Sequence, residues 1–323
     1  MASDVIVAGA GVAGLTTAVV LAERGHRVRV WTRSPTAEST SAVAGGLWWP
    51  YRIAPEERAG AWALHSLAVM TELAQQPQET GVRLVTGTHA GPAPHELGPW
   101  ARRVPGLRAA TTGELPPGHG RGVRARLPLL DMPTHLHHLH HRLAAAGGRV
   151  ALRPVPSLAR AAAEADAVVN CTGLGARRLV PDPSVHPVRG QLVVVENPGI
   201  DEWFTAADAG RADMAYLFPQ PYGLVLGGTA QEHVWDRTPS PCTAHAIIAR
   251  CARLFPAVGR ARVLAHRVGL RPARPAVRLE AERLPDGGVV VHNYGHGGAG
   301  VTVAWGCAHE AADLVEGVDP VRP

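Results

Sequence analysis

The chain has no lysine: all 32 of its basic residues are arginine, set against 27 acidic ones, for a formal net charge of +5 over 323 residues. The arginines are interspersed with the acids. A nucleic-acid binder concentrates its charge on a stripe or tail, so the surplus reads only as a bias toward small anionic ligands. Cysteine is scarce, and Cys171, Cys242, Cys251 and Cys307 form no C-x-x-C pair. That excludes a metal framework or redox dithiol and predicts free, mostly buried thiols in a reducing compartment. No apolar run approaches the length of a membrane span, the first residues enter a strand without a basic leader, and Val321-Arg-Pro323 is not a peroxisomal address. The expectation is a cytoplasmic protein with neither membrane nor nucleic acid as partner. With 46% hydrophobic residues the chain can bury a sizeable core, and its length suggests about two domains.

What is present gathers at the two ends. Residues 289–315 read as strand, loop and helix: a β-branched run at 289–291 meets a loop holding Gly295, Gly297, Gly298 and Gly300. From Val301, apolar and small residues recur at helical spacing through Trp305, Ala308, Ala312 and Val315. Without Cβ atoms the loop backbone can approach a ligand closely. The helix start, with Thr302 in its first turn, aims unpaired N–H groups and a positive dipole end at that loop. A phosphate, an enolate or the pyrimidine edge of a reduced flavin would each suit it, and this stretch alone does not choose.

The N-terminal stretch is a βαβ unit, with a strand at 5–8, a helix at 12–24 closing at Gly25, and a strand at 27–31. Its turn, Gly9-Ala10-Gly11-Val12-Ala13-Gly14, carries the dinucleotide fingerprint: Gly9 for the tight turn, Gly11 for close approach of a pyrophosphate, Gly14 for packing helix on strand. The acid that usually ends the second strand and holds a ribose is missing. Thr32, Arg33 and Ser34 stand there instead, and an arginine at that place keeps NADP as a competing ligand. Ser39-Thr40-Ser41, followed by Gly45-Gly46-Leu47, again describes backbone wrapped closely on a ligand.

The middle of the chain predicts a helix at 55–73, a strand at 81–88 and Pro/Gly-rich loops with short strands over 91–126. A helix at 132–146 carries five histidines from His135 to His141, with His137 and His141 spaced i, i+4. No H-E-x-x-H occurs and no carboxylate lies between them, so the reading is a solvated polar face beside Leu136, Leu139 and Leu143, with no metal. A helix at 158–164 feeds a strand at 167–173, placing Thr172 and Gly173 at a carboxyl strand end, where open α/β sheets bind ligands. β runs at 190–195, 214–219 and 224–228 then suggest an antiparallel sheet, followed by a helix at 243–254. The fold class is α/β with an α+β part: a Rossmann-type domain over 1–52, 140–185 and 262–323, interleaved with a second domain over 53–139 and 186–261.

Gly269-Leu-Arg-Pro-Ala-Arg-Pro-Ala-Val-Arg278 holds three arginines. Two X-Pro steps stiffen the backbone, and one pre-organised guanidinium there is a natural bidentate partner for a carboxylate. Arg271, Arg274 and Arg278 compete for the role.

Taken together, Gly9-x-Gly-x-x-Gly14, Gly46-Leu-Trp-Trp-Pro-Tyr51, Asn170-Cys-Thr-Gly173, Arg189-Gly-Gln191, the Gly269 to Pro275 segment and His292-Asn-Tyr-Gly-His-Gly-Gly298 resemble the FAD-dependent D-amino acid oxidase family, over nearly the whole chain and in the right order. The resemblance implies a flavin-binding Rossmann-type domain and a substrate domain whose antiparallel sheet covers the flavin ring. It makes Arg271 and Tyr216 the carboxylate-binding pair, gives the Gly298 carbonyl to the substrate amine, and gives Thr302 to the flavin C2=O. Ser41, Gly46, Leu47, Val155, Thr172 and Gly300 fall at the family's flavin contacts, to which the glycine-rich readings above add Thr40, Gly45, Gly297 and Val301.

The implied reaction is hydride transfer from Cα of a D-amino acid, of neutral or basic side chain, to FAD. Oxygen is the second substrate, and the products are a 2-oxo acid, ammonia and hydrogen peroxide; the sequence leaves the oligomeric state open, with a homodimer one option. Ala212 and Ala299 stand where vertebrate members carry tyrosines and Trp49 where they carry glutamine, so the pocket wall is not inherited. Gly298 in place of a serine leans toward neutral substrates. D-aspartate oxidase and glycine oxidase are the near alternatives; an NADP-dependent dehydrogenase and a non-catalytic flavin-binding protein are the remote ones.

Overall fold

Val5, Ile6, Val7 and Ala8 are fully buried, as expected of a strand covered on both faces. They lie in β1 (Asp4–Ala8), which leads into α1 (Val12–Glu23) and β2 (Arg27–Thr32). Gly25, at φ +91°, turns the chain out of the helix in the left-handed region open to glycine. The structure is a computed structural model that describes residues 2–206 and 214–317; Ala212 lies outside the described residues. Next come α2 (Glu56–Leu73), β3 (Val82–Ala90), β4 (Arg108–Ala109), β5 (Gly122–Leu130), α3 (Met132–Ala145), β6 (Arg149–Leu152) and β7 (Ala167–Asn170). The remainder holds β8 (His186–Val195), β9 (Trp203–Ala206), β10 (Ala215–Gln220), β11 (Gly223–Gly227), β12 (Gln231–Glu232), α4 (Pro241–Leu254), β13 (Val263–Arg283), β14 (Val289–His296) and α5 (Gly300–Glu316).

The strands form one sheet in the order β4-β5-β3-β9-β10-β11-β8-β13-β14-β7-β1-β2-β6, with β12 alongside β8. From β14 to β6 the neighbours run parallel, and from β13 to β9 they run antiparallel. The expected antiparallel sheet is therefore continuous with the parallel one. The join is β13, a strand of 21 residues that pairs with β8 along one edge and β14 along the other. Its register against β14 breaks between Ala273 and Arg278, around Pro275, which has no N–H to give to the ladder. The residue 139/140 boundary read from the sequence falls inside α3, and 185/186 falls at the start of β8.

On the antiparallel part the two faces separate cleanly. Val193, Val195, Leu217, Leu224 and Leu226 point to the face covered by Ala244, Ile247 and Cys251 of α4. Leu192, Val194, Trp203, Phe218 and Val225 point the other way, into the main core shared with α1, α2 and α5. A Cβ on Gly306 would lie 2.4 Å from the Trp62 backbone, so α2 and α5 cross at a distance only glycine permits. Among the described residues no helix is long and apolar enough to cross a membrane.

The histidine-rich helix corrects the sequence reading. His137 and His141 are exposed, with rings 4.3 Å apart, but His135 and His138 are buried. The face beyond the leucines packs on the turn at Pro77–Thr80, where His135 Nδ1 lies 2.9 Å from the Thr80 carbonyl. Burial pushes His135, His89 and His296 each down to about 4 from the ordinary 6.5. These rings refuse a proton that the unfolded chain accepts, so stability is lost as pH falls from about 6.5 toward 4, at up to roughly 1.4 kcal/mol per pH unit for each ring. Melting curves should show Tm dropping as pH falls from about 6.5 toward 4, and His135→Gln should flatten the drop. A Tm independent of pH across that window would contradict the burial of these rings as neutral groups.

Candidate active site

The carboxyl edge of the parallel strands collects most of the residues singled out from the sequence. Gly9 follows β1, Arg33 and Ser34 follow β2, Val155 lies just beyond β6, Thr172 beyond β7, and Gly297 follows β14. Open α/β sheets bind ligands at this edge. Gly9 sits at φ +109°, and a Cβ there would meet the Cys171 carbonyl oxygen at 2.5 Å. A Cβ on Gly14 would lie 1.9 Å from the Gly9 carbonyl oxygen, so α1 starts hard against the turn, with Ala10 buried between.

Gly11 faces the Ser41 hydroxyl, which accepts the Val12 N–H at 3.0 Å. That leaves the amides of Ala13 and Gly14 as the outward donors of the first turn. Thr40 donates to the Leu270 carbonyl at 3.0 Å, tying this segment to β13. Arg33 is exposed with no partner among the described residues, and the Ser34 carbonyl accepts from Thr32 at 2.9 Å. The Thr172 hydroxyl is held by Asn170 at 2.7 Å, and Val155 is half-buried in the cluster around Trp31.

The loop after Ser41 lies across the edge. Gly46, at φ +87°, presses on the Leu130 carbonyl, where a Cβ would come within 2.1 Å. Leu47 bridges to Leu129, and Gly45 lies under the Phe218 ring. The Trp49 backbone is bonded in both directions to the Thr302 hydroxyl, its N–H at 3.2 Å and its carbonyl at 3.0 Å. Any hydrogen bond from Thr302 to a ligand must therefore come from its backbone N–H, which with those of Gly300 and Val301 opens the first turn of α5.

The three arginines now separate. Arg274 donates to Asp182 at 2.9 Å, and Arg278 is held by Glu280, Glu282 and the Tyr294 hydroxyl. Arg271 has no acidic partner among the described residues. Its guanidinium lies flat over Gly190, where a Cβ would sit 2.5 Å from both terminal nitrogens, and Nη1 donates to the Thr229 carbonyl at 2.9 Å. Tyr216 lies on Gly227 and Gly228 in the same way, stacked on Phe218 with ring centroids 4.7 Å apart. Burial pushes its phenol up, opposed by the charge of Arg271 and a hydrogen bond to it, so the two side chains meet. Gly298 closes the group: a Cβ there would be 3.2 Å from Tyr51 Cδ1 and 3.6 Å from Arg271 Cδ.

Two neighbours escaped the sequence reading as site residues. The Tyr51 hydroxyl is buried with no hydrogen-bond partner among the described residues, and its ring lies beside Gly298. His89 is in register with Thr205, and Thr205 with Tyr216, so the three share one row on the face that carries Arg271. His89 Nδ1 is 2.6 Å from the Thr205 hydroxyl, and its ring lies 4.7 Å from Trp49. The site thus offers two positive helix ends, a guanidinium and a phenol, and backbone cleared of Cβ atoms along its length. The unpartnered Tyr51 hydroxyl and the glycine cradles fit a bound group with phosphates at one end and a polar ring system at the other.

A model of the FAD dependent oxidoreductase family (DAO) matches residues 4–314. The chain belongs to this family. The D-amino-acid oxidase of Streptomyces coelicolor is 62% identical over 312 residues, covering 96% of each chain. The D-amino-acid oxidase of Rubrobacter xylanophilus is 50% identical over 312 residues, covering 96% of this chain and 94% of the other. In fold, the crystal structure of glycine oxidase from Geobacillus kaustophilus overlays with a TM-score of 0.78 at 20% identity, covering 99% of this chain and 96% of that one. FAD is the family's cofactor, and the nicotinamide alternative raised by the missing ribose acid falls away.

Proposed function

We propose that this chain catalyses FAD-dependent oxidative deamination of D-amino acids, with Arg271 and Tyr216 as the groups that recognise the substrate carboxylate. The observation that carries this is the pairing of a guanidinium that has no acidic partner among the described residues with a buried phenol, beside Gly298, whose missing Cβ keeps clear of Tyr51 and Arg271. Arg271, anchored on Thr229 and Gly190, presents parallel N–H donors in a fixed plane. Tyr216 adds a hydroxyl, and the Gly298 carbonyl accepts from the amine. The positive end of α5 stabilises negative charge that builds beside it.

The FAD would be held by the Gly9 to Gly14 turn, Arg33, Ser34, Thr40, Ser41, Gly45, Gly46, Leu47, Val155, Thr172 and the Gly297 to Thr302 turn. When bound it supplies the acceptor for the hydride leaving Cα and the route of those electrons to oxygen. No general base is required of the protein, because a neutral substrate amine assists the hydride's departure with its lone pair. Burial holds His89 and His296 each down to about 4, so among the described residues the cations at this end of the site are Arg271 and Arg250, which donates to the Gly228 carbonyl and whose charge reaches Tyr216. A flavin-binding part and a substrate-binding part divide near residues 52, 139, 185 and 261.

The test is anaerobic bleaching of the flavin by both enantiomers of the common amino acids and by glycine. Neutral D-amino acids should bleach it and their L-forms should not. Bleaching by D-aspartate or glycine alone would replace this substrate assignment, and no bleaching by any D-amino acid would end the enzymatic reading.

A further inference from the structure

On β8 and β12, away from the chemistry above, His186, Glu232 and His233 bring their ligand atoms within 4.8 Å of one another. Glu232 ends β12 and His233 opens the turn after it at φ +61°, outside the region most residues occupy, with its N–H bonded to the Pro187 carbonyl at 2.8 Å. The His186 and His233 rings stack with centroids 4.5 Å apart. His186 Nδ1 lies 3.0 Å from the Ser184 carbonyl and Nε2 lies 3.0 Å from Glu232 Oε2. With Nδ1 donating to the carbonyl, Nε2 faces the carboxylate either as the second N–H of a charged ring or as a lone pair that a cation between the two would use.

We propose that His186, Glu232 and His233 form a divalent metal site of the zinc class. Two imidazoles and one carboxylate suit Zn2+ and leave a fourth position for water. Four-coordinate bonds of about 2.0–2.1 Å bring ligand atoms to about 3.4 Å apart, so side-chain rotation closes the site without moving the backbone. The Ser184 carbonyl is the outer partner that orients the His186 ring. The ion would clip the two-residue strand β12 to β8. That segment begins at Thr229, whose carbonyl holds Arg271, so the clip secures the acceptor that aims the guanidinium.

The experiment titrates Zn2+ into untagged, FAD-loaded protein after chelator treatment, by calorimetry. A His137→Gln/His141→Gln background removes the exposed pair on α3, which could take up an ion by itself. Expected are about one Zn2+ per chain and a Tm raised by the ion. Glu232→Gln and His233→Ala should each weaken binding by about 100-fold or more, beyond what loss of an outer-shell partner costs, while both stay yellow with the metal-free Tm of the parent. Binding no tighter than about 1 mM, or unchanged affinity in both variants, would overturn the site.

Discussion

Arg271→Ala should lower kcat/KM for neutral D-amino acids by roughly 30-fold to 5,000-fold, the range corresponding to about 2–5 kcal/mol for truncating one partner of a buried, hydrogen-bonded charge pair. The flavin should remain bound, because the guanidinium lies over Gly190 and Thr229, away from the glycine turn at α1. Arg274→Ala is the matched control. It removes one of the hydrogen bonds that, with those from Ser184 and Tyr294, hold the Asp182 carboxyl below its ordinary range against the burial that pushes it up. That variant should lose stability and keep its turnover. Steady-state kinetics on both, with flavin content read from the visible spectrum, separates the roles. Parental kcat/KM in Arg271→Ala would remove the carboxylate assignment.

Gly9→Ala should yield protein that is colourless or binds FAD at least about 100-fold more weakly. Two effects add. At φ +109° a side chain is strained by an amount on the order of 1–3 kcal/mol, and the new Cβ would overlap the Cys171 carbonyl oxygen at 2.5 Å. Relief comes only by moving the turn away from β7, which carries the first-turn amides of α1 off their ligand. Flavin titration against the apoprotein measures the loss, and a melting curve separates weakened binding from failure to fold. Stoichiometric yellow protein with the parental Tm would mean that the close approach at Gly9 is not needed.

Local pattern made the two ends of the chain readable. Val5 to Ala8 and Val289 to Val291 are apolar runs, each followed by glycines and a helical period, and all of that information lies within about thirty residues. The choice among the arginines was half visible: Glu280 and Glu282 follow Arg278 at strand spacing on its own face, but Arg274 finds its acid 92 residues away at Asp182. Tyr51, His89 and the trio at His186 were hidden for the same reason. His89 meets Thr205 only through the pairing of β3 with β9, and no periodicity in either strand reports that register. The length of β13 was hidden by its prolines, which punctuate the sequence but are absorbed by a break in pairing with one neighbour while pairing with the other continues.

That long strand has a mechanical meaning. Because β13 hydrogen-bonds to both β8 and β14, the wall bearing Arg271 and the wall bearing the glycine turns are two stretches of one fabric, with no seam along which they could swing apart. Jaw-like closure of the two parts is therefore barred, and entry and exit must be managed by segments at the rim. Nor could either part be produced alone as a working unit, since cutting at the join would strip β13 of one neighbour and expose a ladder of unpaired amides to any passing chain.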